Sequence, residues 1–212
     1  MTNRPSNFGP TVAGMMQKLK MIQAIASNIE NANSLGYQRQ IPESISFKSV
    51  LDETAQRDST QGQLQKTNEK FDLAIEGDAY FLVEGKNGIE QTKNGQFHLN
   101  EKGELTTQDR REVIVVEKTD KPLSLAKDFD IHINQKGEIS VGTERYGRIA
   151  MQILDSKPVK VHQGFVEGSN VNLMTEMLPL SMASRNFEAS EKILGMESSV
   201  DRDLIEKYGR NV

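Results

Sequence analysis

Cysteine is absent from this chain of 212 residues. That removes disulfides, thiolate zinc sites and cysteine nucleophiles together, while leaving the redox compartment open. Surplus positive charge is missing too. Lys and Arg total 26 against 30 acidic residues, a net charge of -4, so nothing is left over to neutralise nucleic-acid phosphates or coat an anionic membrane. No window approaches the roughly 20 apolar residues of a membrane span, so direct membrane insertion is not expected. The opening stretch MTNRPSNFGPTVAG lacks the apolar core of a signal peptide. Composition alone therefore reads cytoplasmic.

Catalytic signatures are lacking as well. There is no GxSxG, no P-loop and no GxGxxG. His98, His132 and His162 stand in separate β-type runs without partners at metal-ligand spacing. Asp72, Glu76 and Asp78 do not follow the alternating oxygen ligands of a calcium loop. No catalytic, cofactor-binding or metal-binding residue is expected, and no cofactor.

What is present is periodicity. Val12, Met15, Met16, Leu19, Ile22, Ala26 and Ile29 recur at spacings of three and four, which predicts a helix over residues 10 to 32. It ends in ASNIENANSLGY, where Asn33 and Gly36 can take the left-handed conformation of a helix C-terminus. Near the other end, Leu173, Met177, Leu180, Ser184, Phe187, Glu191 and Leu194 form a second three-four series. Asn172 suits its N-cap, and Pro179 either bends this helix or moves its start toward Leu178.

Between the helices the period falls to two, with turn dipeptides Asn87-Gly88, Asn94-Gly95, Lys102-Gly103 and Lys136-Gly137. Residues 38 to 70 are polar and weakly periodic, an extended connector with one helical turn expected at Phe47 to Leu51. The expected division is a helix in 1–37, the connector 38–70, a β domain in 71–165 and a helix in 166–212. The fold class expected is α+β: N- and C-terminal helices paired like a coiled coil, flanking a central, mainly antiparallel β domain. Unpaired, each helix would expose more apolar surface than a soluble monomer normally carries. Apolar residues lie on more than one face of the second helix, so one partner helix cannot cover them all, and the remainder requires other chains. Methionines along both helices suit such an adaptable contact.

Three segments together resemble a known family. ASNIENANSLGYQ resembles the signature that ends the N-terminal helix of the bacterial flagellar rod and hook proteins. STQGQLQKTNEKFDLAIEGDAYFLV, followed by TKNGQFHLNEKGELTT, is similar to the opening of that family's β domain. VEGSNVNLMTEMLPLSMASRNFEASEKIL resembles its C-terminal helix. Three departures stand out: Ala79 replaces a glycine, QDRREV lacks the Asp-Gly turn, and Pro179 interrupts the helix.

The resemblance implies a basal-body rod subunit, with shortness favouring the proximal over the distal type. It implies a protein that stacks helically into the periplasmic drive shaft around the export channel and is exported through the flagellar type III apparatus without a cleaved signal. Its implied partners are copies of itself and other rod and hook subunits. On the helices, the expected interface residues are Met16, Leu19, Ile22, Ala26, Asn28, Ile29, Asn31, Asn33 and Gly36, with Met177, Leu180, Phe187 and Leu194 opposite. Asn28 and Asn31 lie one turn apart on one face, and at least one of these amides is expected to bond a neighbouring subunit as well as cap the helix. Two other readings stay open on sequence: a soluble adaptor or chaperone-like binding module, and an enzyme acting on cell-wall polymer. The latter would need a carboxyl pair that no motif supplies.

Overall fold

The computed structural model describes residues 8–41, 56–86, 88–117 and 131–208. It divides into two units: a helical one, from residues 1–30, 40–57 and 172–212, and a β one, from residues 31–39 and 58–171.

In the helical unit, α1 spans Phe8–Glu30 and α2 spans Leu173–Tyr208. Asn172 caps α2, its Oδ1 accepting from the backbone N–H groups of Met174 at 3.0 Å and Thr175 at 3.4 Å. Glu176 in the first turn complements the positive end of the helix dipole. Pro179 lies inside α2, so the helix runs through the proline rather than beginning beyond it, without the hydrogen bond that residue's N–H would have made.

The two helices run antiparallel. Asn28 Nδ2 donates to Glu176 Oε2 at 3.2 Å near one end, and Lys18 Nζ donates to Ser190 Oγ at 2.6 Å and to the Asn186 carbonyl at 3.3 Å further along. This overturns the coiled-coil-like pairing expected from the sequence. A knobs-into-holes seam buries apolar residues at every a and d position. Among the described residues of α1 and α2, only Ile25 and Ala183 are buried apolar side chains. Met16, Leu19 and Met177, which lie on the apolar stripes read from spacing, are exposed. Polar links at two levels set the register instead, and the apolar periodicity continues on faces that the partner helix does not cover.

The β unit is a mesh of short antiparallel strands rather than one sheet. Its first six are β1 (Leu64–Lys66), β2 (Leu73–Glu76), β3 (Ala79–Gly85), β4 (Gly88–Thr92), β5 (Phe97–Leu99) and β6 (Leu105–Thr107). After β7 (Val115–Val116) come β8 (Ile131–Ile133), β9 (Glu138–Val141), β10 (Glu144–Ile149), β11 (Met151–Ile153), β12 (Lys160–Gln163) and β13 (Phe165–Glu167). They form sheets in the orders β7-β10-β9-β8, β11-β3-β4, β12-β2, β5-β6 and β1-β13. The expected helical turn at Phe47 to Leu51 lies outside the described residues.

One core serves four of the five sheets, all but β1-β13. Leu73, Ile75, Phe81, Val83, Phe97, Leu105, Ile139, Ile149 and Val161 are all buried in it, and the Phe81 and Phe97 rings meet edge to face at 5.1 Å. Each such side chain contributes roughly 1.5–3 kcal/mol on burial. Separate strands are tied by backbone bonds outside the ladders. Leu82 N–H donates to the Ala150 carbonyl, Ala150 to Ile114 and Ile114 back to Leu82, at 3.1, 2.8 and 2.9 Å. This closed triangle satisfies polar backbone that ladder ends would otherwise leave open.

Two turns are copies of each other, in HLNEKGEL (98–105) and HINQKGEI (132–139). In each, the asparagine Oδ1 accepts from the backbone N–H of the following lysine and glutamate, and its Nδ2 donates to that glutamate's carboxylate. Gly103 and Gly137 take φ values of 76° and 77°, the left-handed geometry this turn requires. The turn at QDRREV has no glycine, and Arg110 itself adopts φ 66° there. Thr107 holds that turn: its N–H donates to the Arg111 carbonyl, its carbonyl accepts from the Arg110 N–H, and its Oγ1 accepts from the Arg111 N–H.

Candidate functional site

Two features stand out, one in each unit. The first is a buried polar hub in the β unit. Glu167 on β13 and Lys93, just after β4, are nearly solvent-free, and Lys93 Nζ lies 3.7 Å from Glu167 Oε2. Burial pushes the Glu167 carboxyl above the usual range, while the Lys93 charge pulls the other way. Gly62 N–H donates to Glu167 Oε1 at 3.0 Å, and Gly36 N–H donates to the Glu167 carbonyl at 2.7 Å. Lys93 Nζ also donates to the Gly77 carbonyl at 3.2 Å and stands 5.2 Å from the centre of the Tyr80 ring, whose hydroxyl donates to Gln38 Oε1. Gln61 bridges the Ile75 carbonyl and the Gly77 N–H.

Close approach explains the glycines here. A Cβ at Gly36, where φ is 66°, would meet backbone atoms of Lys93 and Asn94, and one at Gly62 would meet the Gly168 carbonyl. The hub thus gathers SLGYQ, QGQ, IEGDAY, TKNG and VEGSN, stretches scattered from residue 34 to residue 170. Neither Lys93 nor Glu167 was legible as a site residue. The signal that could have found them is a charged residue inside each of two distant resembling stretches, Lys93 in TKNG and Glu167 in VEGSN, which does not by itself show that the two meet.

The second feature is on α2. Taking Glu176 as the reference and 100° per residue, Leu180, Ala183, Phe187 and Ser190 lie within about 40° of it, on the side that meets α1. Met174, Leu178, Met182, Ile193 and Met196 form a second stripe centred on the opposite side, and all five are exposed, Met174 at 85% and Leu178 at 68%. A helix with two opposed apolar stripes has more to bury than one partner can take.

The residues expected at an interface fall into distinct environments. Met16, Leu19, Ala26, Asn33 and Met177 are exposed, while Ile22, Ile29, Asn31, Gly36, Leu180 and Phe187 are partly covered. Asn28 is fully buried. Its Oδ1 accepts from Gln40 N–H at 2.8 Å, and its Nδ2 donates to the Gln40 carbonyl at 2.9 Å and to Glu176. Asn31 closes the turn after α1 by accepting from the Ser34 N–H and hydroxyl. Leu194 belongs to α2, with its side chain outside the described residues. Among the described residues, no group of His, Asp and Glu is arranged to hold a metal ion, and no helix is long and apolar enough to cross a membrane.

Comparison with known proteins reaches the same stretches. Residues 162–206 match the family model for the C-terminal region of flagellar basal body rod FlgEFG proteins, and residues 74–141 match that for the D1 domain of flagellar hook protein FlgE/F/G. The chain is 27% identical to the flagellar basal-body rod protein FlgF of Mesorhizobium japonicum, over 93% of this chain and 95% of that one. It is 23% identical to the flagellar basal-body rod protein FlgG of Bacillus subtilis, over 92% and 96%. A 106-residue stretch is 35% identical to the flagellar hook protein FlgE of Rhizobium meliloti, covering 44% of this chain and 26% of that one. With both family models matched in order and near full-length similarity to rod proteins, the chain belongs to the family of flagellar basal-body rod and hook proteins.

Proposed function

We propose that the chain works as a structural subunit of the flagellar basal-body rod, joined to sister subunits through its helical unit. The observation that carries this reading is the second apolar stripe of α2, Met174, Leu178, Met182, Ile193 and Met196, which lies away from the α1 side. Covering it with equivalent helices of other subunits removes it from water. A heterologous contact of this kind propagates into a filament rather than closing on itself. The exposed Met16, Leu19, Ala26 and Met177 belong to the same assembling surface.

In this reading the terminal helices line a shaft around the export channel, and the shaft transmits torque across the periplasm. The chain reaches the periplasm through the flagellar export apparatus. Its role is mechanical rather than catalytic.

The test replaces Leu178 and Met182 with aspartate in the full-length chain. The purified variant is expected to melt like the wild type, because both side chains are exposed. Cells carrying it in place of the native protein should lose motility and assemble no hook. Normal swimming by that strain would refute the reading.

A further inference from the structure

The chain passes between its helical and β units at four points, after residues 30, 39, 57 and 171. Three of these are gathered on one side chain of the β unit. Asn170 Oδ1 accepts from the Arg39 N–H at 2.7 Å, beside the second passage. Its Nδ2 donates to the carbonyls of Asp58 at 2.9 Å and Thr60 at 2.8 Å, just past the third, with the Thr60 hydroxyl at 3.2 Å. Asn170 itself precedes the fourth by one residue, and its N–H donates to the Tyr37 carbonyl at 3.3 Å. Asp58 N–H completes the clasp by donating to the Arg39 carbonyl at 2.8 Å.

The chemistry is specific to a short primary amide. One head group must accept from one strand and donate to two carbonyls, which only Asn and Gln side chains can do while neutral. Gln is longer by a methylene. Asp keeps the acceptor for Arg39, but turns a negative oxygen toward the carbonyls of Asp58 and Thr60, where a donor now sits.

We propose that Asn170 is a positioning residue for assembly: it fixes the directions in which the chain leaves the β unit, and incorporation into the rod depends on that setting. The inference rests on the rod-subunit reading above. A filament repeats one heterologous contact many times, so freedom at the exit strands becomes an ordering cost at each added subunit. A residue that removes this freedom in the monomer lowers that cost without touching the interface.

The experiment uses Asn170→Ala and Asn170→Asp in the full-length chain, with hydrogen exchange on the purified proteins and motility in a strain deleted for the native gene. In Asn170→Ala the amides of Arg39 and Asp58 should exchange about tenfold faster, while those of Leu73 and Phe81 keep their protection. Both variants should fail to restore swimming, Asn170→Asp included, although its acceptor for Arg39 survives. If either variant restores wild-type swimming, the inference falls and the rod reading stands. Equal loss of protection at Leu73 and Phe81 would also overturn it, since Asn170 would then be part of the general stability of the β unit. A deletion strain that still swims would refute the rod reading, and the assembly role of Asn170 with it.

Discussion

The β unit and the helical unit solve the problem of burial in opposite ways. In the β unit, short strands surround one core in which Leu73, Ala79, Phe81, Val83 and Ile139 have no exposed surface, and its buried ion pair is ringed by backbone donors and acceptors. In the helical unit, polar links at Asn28–Glu176 and Lys18–Ser190 hold two helices together, and most of the described large apolar side chains of α2 are exposed. One unit buries its core within itself, whereas the other leaves apolar side chains of α2 exposed, which on the rod-subunit proposal neighbouring subunits cover. A β mesh can wrap a core on all sides, while two helices present only one face to each other, so their remaining apolar surface must be covered by something else.

The largest expected effect tests the first half of this contrast. Phe81→Ala should cost about 3–5 kcal/mol, seen as loss of the cooperative denaturant transition of the β unit. Leu178→Ala should leave that transition in place. Equal destabilisation by the two would erase the distinction.

Asn28→Ala comes next, at about 1–3 kcal/mol, because it leaves Glu176 and the Gln40 peptide groups without their buried partner. Loss of helical circular dichroism without change in the Phe81 environment would place that cost in the helical unit. A shift in both signals would mean the two units fold as one.

A smaller gain is expected at an acidic cleft of the β unit, lined by Glu84, Glu104, Glu112 and Tyr146. Burial raises the Glu112 carboxyl, and the charges of Glu104 and Glu84 raise it further. Because the folded-state value is raised, its stabilising contribution is complete below the ordinary glutamate range and is lost as pH climbs through the raised value. Glu112→Gln should therefore be more stable than the wild type at pH 7, and the difference should vanish on acidification. An unchanged gap in melting temperature at both pH values would contradict this.

The smallest effect lies at Arg110, where a non-glycine residue holds φ 66°. Arg110→Gly should stabilise the β unit by about 0.4–1 kcal/mol if relief of the left-handed strain outweighs the added freedom of the unfolded chain. A lower melting temperature would show that the bonds from Thr107 already make the turn comfortable.

Several parts of this fold were legible from sequence for local reasons. The three-four spacing marked α1 and α2, Asn172 marked the N-cap, and Lys102-Gly103 and Lys136-Gly137 marked true hairpin turns. Asn94-Gly95 misleads as a hairpin signal. Asn94 Oδ1 instead accepts from Gln96 N–H in a local turn, and Gly95 lets the chain approach the Leu73 carbonyl, where a Cβ would collide. The coiled-coil pairing failed for a related reason. Periodicity reports that a face is apolar, but not which surface covers it, and α2 carries two such faces. The place of Asn28 on a helix face was legible, whereas its bonds to Gln40 and Glu176 join groups that only the folded helical unit brings together.

Composition alone determined the deficit of positive charge, and the order of residues determined the element types and the motifs of the rod and hook family, because both depend on neighbours within a few positions. Only the tertiary structure decided that Lys93 meets Glu167, that Asn170 clasps Arg39, Asp58 and Thr60, and that one stripe of α2 turns away from α1. Those pairings join groups up to about 130 positions apart, and chain closure over such distances is selected by the packing of the whole core rather than by any local preference.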